Sequence, residues 1–306
     1  MTKKQISSIA VFGKHCPKAP PLWKGAAHLL QAHGYRVLVD ETTDDCKNTP
    51  FELVPIDTIQ EQADAAVIIG GDGTFLGIAR KLAGLSIPLI GINQGRLGFL
   101  TDIRYDDINP YLLDTLKGQG FVETRTYLEG RVFRRNQTIA EHIALNDIVI
   151  SRGIVGGMIE VSVNVDQQFM YDLRADGLII ATPTGSTAYA LSADGPILHP
   201  SLAGLLIVPV APHALTNRPI TLPDTCTIVI HVTGGKQTGV HFDMQSNFRI
   251  KTGDQIEIKV SPKPIQLLHP ERYDYFAMLR QKLHWSASPT DLRFQQRGLR
   301  ESFHAQ

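Results

Sequence analysis

Cysteine is scarce in this chain. Cys16, Cys46 and Cys226 are the three in 306 residues, and they stand far apart. No C-x-x-C pair or His/Cys cluster with zinc spacing occurs, so the sequence implies neither a disulfide framework nor a zinc site. A reducing, cytoplasmic setting fits that usage. An excess of charge is also missing. Thirty Lys and Arg cancel thirty Asp and Glu, which excludes a general binder of nucleic acid or anionic membranes. Long apolar runs are absent too: none approaches the roughly 18–20 residues of a membrane span. The apolar stretch Ile9 to Phe12, after a basic start at Met1 to Lys4, is too short for a signal peptide. What remains is ordinary for a globular protein, with 43% hydrophobic and 20% charged residues. The length allows two domains.

Against that plain background residues 67–76 stand out: Val-Ile-Ile-Gly-Gly-Asp-Gly-Thr-Phe-Leu. An apolar run, Ala65 to Ile69, reads as a buried strand, and a helical pattern, Thr74 to Ala83, follows at once. Between them lies the loop Gly70, Gly71, Asp72, Gly73, Thr74. Glycines let a backbone approach a ligand and turn where a side chain would clash. The N–H groups of such a loop, with those of the next helix, suit phosphate oxygens. The only charged side chain here is an acid, which repels phosphate and so must serve otherwise. It could hold a metal ion or accept a proton from an attacking hydroxyl. The Walker A pattern is ruled out, since Gly73 is followed by Thr74 and Phe75. The dinucleotide fingerprint G-x-G-x-x-G would need glycine where Leu76 stands. A plainer alternative is a tight turn, with Asp72 or Thr74 capping the helix.

The first 120 residues alternate between strand and helix patterns. Strands are expected at Ser8–Phe12, Tyr35–Glu41, Ala65–Ile69 and Ile87–Ile92, and helices at Leu22–His33, Thr74–Ala83 and Asp106–Leu116. That alternation predicts an α/β domain with a Rossmann-like parallel sheet, whose ligands gather at strand carboxyl ends. From residue 121 to 270 short β-like segments dominate: Thr124–Phe133, Ile148–Ser151, Met158–Val165, Gly177–Thr182, Leu205–Val210, Thr225–Val232 and Gln255–Val260. They predict an all-β sandwich domain. A helical pattern, Tyr273–Leu283, is expected to bring residues 271–285 back onto the first domain. The polar stretch 286–306 is expected to be disordered.

The second domain carries its own polar cluster. A strand, Leu178–Ala181, runs into Thr182-Pro183-Thr184-Gly185-Ser186-Thr187-Ala188-Tyr189. Small residues leave room for a planar group, Tyr189 offers a stacking face, and Ser186, Thr187 and Ser192 offer hydroxyl donors. The alternative is a loop in which Ser186 or Thr187 caps a short helix. The adjacent Asn146 and Asp147 suit a vicinal diol, because both accept hydroxyl protons, although an Asn-Asp pair also serves as a plain turn. Arg174 and Asp176 read equally as an ion pair, and His213 as a structural histidine.

Taken together, these segments resemble the NAD kinase family. The GGDGT loop at 70–74, the N-x-G-x-L-G-F-L segment at 93–100 and the Asn-Asp pair at 146–147 occur in the family's order. So do DGLIIATPTGSTAYALSADGP at 176–196 and P-H-x-L-x-x-R-P at 212–219. GGDG by itself is shared with phosphofructokinases and with diacylglycerol and sphingosine kinases; the TPTGSTAY segment beside it is the specific part. The resemblance implies an α/β domain, a β-sandwich domain and a returning C-terminal helix. It implies ATP-dependent phosphorylation of the 2′-hydroxyl of the adenosine ribose of NAD, giving NADP, with Asp72 as proton acceptor. Gly70, Gly71, Gly73 and Thr74 then hold phosphates, with a divalent cation, Mg²⁺, on the triphosphate. Asp72, Gly73, Asn146 and Asp147 contact NAD, the last two at ribose hydroxyls. Thr187, Ala188, Tyr189, Ala190, Leu191 and Ser192 surround the adenine. Arg174 and Asp176 match further binding positions, and Ala211 and Gln245 match more loosely. A homodimer or homotetramer is implied as well.

The chain departs from the family in places. Asp147 stands where members often carry Glu, and Gly157 where some have a larger side chain. Metal ligands are not readable from the sequence. Two other readings stand beside this one: a GGDG kinase acting on a lipid or sugar, and a non-catalytic dinucleotide-binding protein of the same fold.

Overall fold

The computed structural model describes residues 6–13, 21–43, 45–47, 49–95, 97–153 and 157–285. Cys16, Arg96 and the polar stretch from Ser286 lie outside the described residues. The chain begins with β1 (Ser8–Gly13), α1 (Leu22–Ala32), β2 (Arg36–Asp40), β3 (Glu52–Val54), α2 (Ile59–Gln62), β4 (Ala65–Gly70), α3 (Asp72–Lys81) and β5 (Leu89–Asn93). It continues with β6 (Ile103–Arg104), α4 (Ile108–Leu116) and β7 (Gly120–Arg125). Strands β3, β2, β1, β4 and β5 lie side by side, all parallel. A parallel sheet is covered on both faces, which is why every residue of β4 is buried. The period of two sorts the side chains. Ile9, Val11, Val67 and Ile69 pack with Trp23 and Leu30 of α1 and Leu112 of α4. Ala10, Phe12, Ala66 and Ile68 pack on the other face with Ile59 of α2 and Phe75 and Ala79 of α3.

The sandwich follows. Its strands are β8 (Leu128–Arg134), β9 (Gln137–Ala144), β10 (Asp147–Ser151), β11 (Ile159–Val165), β12 (Gln168–Ala175) and β13 (Gly177–Ala181). After α5 (Tyr189–Ser192) come β14 (Gly204–Val210), β15 (Ile220–Pro223), β16 (Ile228–Gly234), β17 (Gly239–Phe242), β18 (Ser246–Arg249) and β19 (Gln255–Val260). One antiparallel sheet runs β15-β14-β13-β10-β17-β18 and the other β12-β11-β16-β19-β8-β9. Their facing sides share one apolar core, including Ile148, Leu178, Ile207 and Phe242 from the first and Val132, Val161, Ile230 and Ile256 from the second.

The chain then returns. Strand β20 (Ile265–Pro270) pairs with β5 in parallel and with β7 antiparallel, completing the first sheet. The segment 124–133, expected as one strand, is therefore two strands in two sheets, meeting at the buried Tyr127. Alternating polarity continues across such a crossing and does not mark it. The first sheet thus takes β7 and β20 from the two ends of residues 121–270, and the sandwich occupies only the stretch between them. After β20, Asp274 caps α6 (Tyr275–Leu283) by accepting from the N–H groups of Phe276 and Ala277. The helix meets both layers. Tyr275 Oη donates to Leu198 O at 3.4 Å, and Lys282 Nζ lies 5.4 Å from the Phe99 ring. No helix among the described residues is long and apolar enough to cross a membrane.

Candidate functional site

Strand β4 ends at Gly70 and α3 starts at Asp72 with Gly71 as its N-cap. No side chain caps the helix. Asp72 is instead turned aside. Its Oδ2 accepts from Phe99 N at 2.9 Å, and its Oδ1 accepts from Leu100 N at 3.0 Å and Thr101 Oγ1 at 3.2 Å. The loop after β5 therefore wraps the carboxylate, and Gly98 permits it: a methyl group at 98 would overlap Asp72 Oδ1. An ionised carboxylate offers about four acceptor positions. Three are filled here, and the one left is on Oδ2.

The loop glycines do not serve a left-handed turn, since none of Gly70, Gly71 and Gly73 has a positive φ. A Cβ at Gly70 would stand 2.7 Å from Thr74 Cβ. Gly71, Gly73, Thr74, Gly77 and Gln245 line a groove of about 490 Å³ over the start of α3. Thr74 N already donates to Gly71 O at 3.0 Å, so the groove's donors are the N–H groups ahead of it at the start of α3, where the helix end also gives positive potential. Gly77 lies one turn beyond Gly73. That i,i+4 glycine spacing is the sequence signal that would have extended the site along the helix.

Asn146 and Asp147 stand where β9 turns into β10. Asp147 pairs with Ala181, which brings the start of the 182–192 segment beside them. Thr182 N donates to Asn146 O at 2.9 Å and Thr182 Oγ1 to Leu145 O at 2.6 Å. A methyl at Gly185 would overlap Asn146 O, so the two backbones touch. Ser186 is not a helix cap. It donates to Pro183 O at 2.6 Å and accepts from Leu198 N at 2.9 Å, folding 182–198 into a compact loop. Beyond it Thr187 and Ala188 are half-buried, Ala190 is buried and Tyr189 is exposed. Asp147 is 2% exposed, and its Oδ1 has no hydrogen-bond partner among the described residues. Burial, reinforced by the neighbouring Asp243 charge, pushes its carboxyl up to about 7.

The two clusters are joined across the turn between β17 and β18. Gln245 Nε2 donates to Gly73 O at 2.8 Å, and Arg80 of α3 donates to Gln245 Oε1 at 2.7 Å and Phe242 O at 3.1 Å. Asp243 accepts from the N–H groups of Leu145, Asn146 and Asp147 at 3.0, 2.8 and 3.2 Å. Neither Arg80 nor Asp243 carries a sequence motif that marks it.

Arg174, Asp176 and Ala211 fall elsewhere. Asp176 and Ala211 flank the start of β13 and the end of β14, six residues along the strand from Thr182, or about 20 Å, and Arg174 lies near the end of β12 in the other sheet. Arg174 and Asp176 do not pair with each other. Arg174 Nε is 3.6 Å from Glu160, and Asp176 is 2.8 Å from Arg152 Nε.

Behind the Asp72 loop lies a buried polar chain that no sequence motif marks. His269 Nδ1 meets Asp102 at 2.9 Å and its Nε2 meets Glu123 at 3.1 Å. Glu123 pairs with Arg125 at 2.5 Å, and Arg125 Nη1 donates to Thr184 Oγ1 at 3.2 Å. Burial alone would lower the His269 pKa, but the two carboxylates outweigh it and raise it above the ordinary value. His269 and its partners are distant in sequence, so no local pattern joins them.

The chain matches known proteins over most of its length. The model of the ATP-NAD kinase N-terminal domain matches residues 21–119, and that of the ATP-NAD kinase C-terminal domain matches residues 145–269. The chain is 48% identical over 289 residues to an NAD kinase of Ralstonia nicotianae, with 94% of this chain and 95% of the relative covered. It is 49% identical over 288 residues to an NAD kinase of Cupriavidus pinatubonensis, with 94% of each covered. The crystal structure of an NAD kinase from Archaeoglobus fulgidus in complex with ATP superposes with a TM-score of 0.72 at 26% identity, covering 91% of this chain and 99% of that one. The structure of a yeast NADH kinase complexed with NADH gives a TM-score of 0.82 at 23% identity, covering 94% and 90%, a likeness of fold.

Proposed function

The chain belongs to the ATP-NAD kinase family, and we propose that Asp72 is the base that takes the proton from the 2′-hydroxyl of the adenosine ribose of NAD. The protein is a phosphotransferase that uses ATP to phosphorylate NAD. The family match sets aside a GGDG kinase acting on lipid or sugar.

One observation carries the assignment of the base. The Asp72 carboxylate is held by three donors and keeps one acceptor position, on Oδ2, and Asp72 stands between Gly71 and Gly73, which line the groove over the start of α3. A neutral hydroxyl is a poor nucleophile, and a positioned base contributes roughly 10²–10⁴-fold. Its orientation is set before substrate arrives, so little reorganisation is needed in the transition state. The ATP phosphates take the groove along Gly70, Gly71, Gly73 and Thr74. Asn146 and Asp147 hold ribose hydroxyls, and Thr187, Ala188, Tyr189, Ala190, Leu191 and Ser192 surround the adenine. Gln245 closes the wall between the groove and the ribose.

Mg²⁺ is proposed to arrive on the triphosphate, whose charge it neutralises. No group of three His, Cys, Asp or Glu residues able to hold a metal ion occurs among the described residues, so the nucleotide's own oxygens supply most of its ligands. The reading includes a cytoplasmic homo-oligomer of two or four copies. Asp176 and Ala211, about 20 Å along the sheet from Thr182, and Arg174 near the end of β12 would then face NAD from a neighbouring copy.

The test is to incubate the protein with NAD, ATP and Mg²⁺. NADP and ADP are expected in equal amounts. Folded protein that forms no NADP above an enzyme-free control would overturn the assignment.

A further inference from the structure

The turn between β17 and β18 is strained. Asp243 and Met244 both have left-handed backbones, with φ of 50° and 53°. Non-glycine residues seldom adopt that region, and such strain persists only where other contacts outweigh it. For Asp243 those contacts are visible. Its side chain is fully buried and its two oxygens take the N–H groups of Leu145, Asn146 and Asp147, while its own N–H donates to Asp147 O at 3.0 Å. The backbone of the Asn-Asp pair is thus moulded on one carboxylate nearly 100 residues away, at separations of 96 to 98.

A buried carboxylate needs a counter-charge, and Arg80 supplies it. Its Nη1 lies 3.6 Å from Asp243 Oδ2 and donates to Phe242 O, while Nη2 donates to Gln245 Oε1. Gln245 passes the connection on to Gly73 O. Gly77 leaves room for this: a Cβ there would stand 3.3 Å from Gln245 Oε1. A continuous polar path therefore runs from the phosphate groove through Gln245, Arg80 and Asp243 to Asn146 and Asp147. It bridges the two layers at the point where two substrates must meet.

We propose that Arg80 and Asp243 are positioning residues that lock the Asn146–Asp147 diol seat to the phosphate groove of α3, which sets the acceptor hydroxyl against Asp72. The proposal rests on the placement of NAD given above. Neither residue touches a reacting atom. Their work is to fix the distance between two seats carried by different sheets, and small misplacements there have large kinetic effects. Only a planar guanidinium meets all three acceptors at once; a lysine ammonium is a point charge on a flexible stem.

The test is Arg80→Lys in the full chain. It keeps the charge beside Asp243 and loses the fork. The expected result is cooperative unfolding close to wild type, a rise of roughly tenfold in both KM and Kd for NAD, and a fall of roughly tenfold in kcat even at saturating NAD. Hydrogen exchange at the amides of residues 145–147 should quicken in the ligand-free protein. Unchanged KM, Kd and exchange overturn the proposal, and so does a loss of stability with KM and Kd intact, which makes Arg80 structural only. If Arg80→Lys does not fold, Gln245→Ala decides, since it cuts the tie to Gly73 and leaves the buried pair whole. Faster exchange at the amides of residues 145–147 in the ligand-free variant supports the lock, and unchanged exchange overturns it. Exchange and NAD Kd need no turnover, so a wild-type protein that binds NAD without making NADP fails the catalytic reading alone.

Discussion

Gly98 and Asp72 touch at a contact that no side chain on residue 98 would allow, because a methyl group there would overlap Asp72 Oδ1. Gly98→Ala is therefore expected to rotate the carboxylate out of its three hydrogen bonds. NADP formation should fall at least about a hundredfold, the lower end of what a positioned base contributes. Affinity for ATP, measured by calorimetry, should change less than about threefold. Full activity in the alanine variant would show that the loop does not hold the base.

Asp72→Asn keeps the size of the side chain and removes its basicity. Its kcat is expected to drop roughly 10²–10⁴-fold with NAD affinity nearly retained. The quantity to measure is single-turnover NADP formation beside NAD Kd. A variant that turns over at the wild-type rate excludes Asp72 as the base.

Asp147 carries a pH signature. Its folded pKa is pushed up from 3.8 to about 7 by burial and by Asp243. The folded state therefore favours the protonated form, and ionisation weakens folding progressively from about pH 4 to 7 and fully above that. Asp147→Asn removes the ionisation. It should raise the unfolding temperature at pH 8, by an amount on the order of a few kcal/mol in stability, and do little at pH 4. NAD affinity should fall in the same variant, the usual exchange of stability for function. Equal shifts at both pH values would contradict this account.

His269 has the opposite sign. Burial opposes its charge, yet its two carboxylate partners raise its pKa above 6.5, so its contribution is complete below pH 6.5 and is lost as pH rises through the folded value. Burial would raise Glu123, but His269 and Arg125 hold it below 4.5, so its contribution is present above pH 4.5 and lost on further acidification. Both act together between about pH 4.5 and 6.5. The stability lost in His269→Gln should be greatest in that window and shrink towards pH 9, as read by urea unfolding at several pH values.

Tyr189 is 39% exposed beside the Thr182–Ser186 loop, available as a stacking face. Tyr189→Ala should weaken NAD binding about fivefold to a hundredfold, the range for one base on one aromatic ring, with little effect on unfolding temperature. An unchanged Kd would remove Tyr189 from the adenine pocket.

Local order was legible in the sequence because local chemistry produces it. The run Ala65–Ile69 had to be buried on both faces, so it became the central β4. The glycines after it marked the end of a strand and the start of a helix, and Asp72 was conspicuous as the one charge among them. The small-residue segment at 182–192 was equally plain. Weak or polar edge strands such as Gln137–Ala144 were not, because an exposed edge carries little apolar pattern. Tertiary structure alone decided what joins these parts. Strand β20 returns to β5 with Leu267 beside Leu89, partners remote in sequence. Gln245 reaches Gly73 across 172 residues, and Asp243 shapes the backbone of Asn146 and Asp147. His269 finds Asp102 and Glu123 in the buried junction. Such partners share no spacing that a one-dimensional reading can detect, because burial and packing choose them only after the sheets have formed.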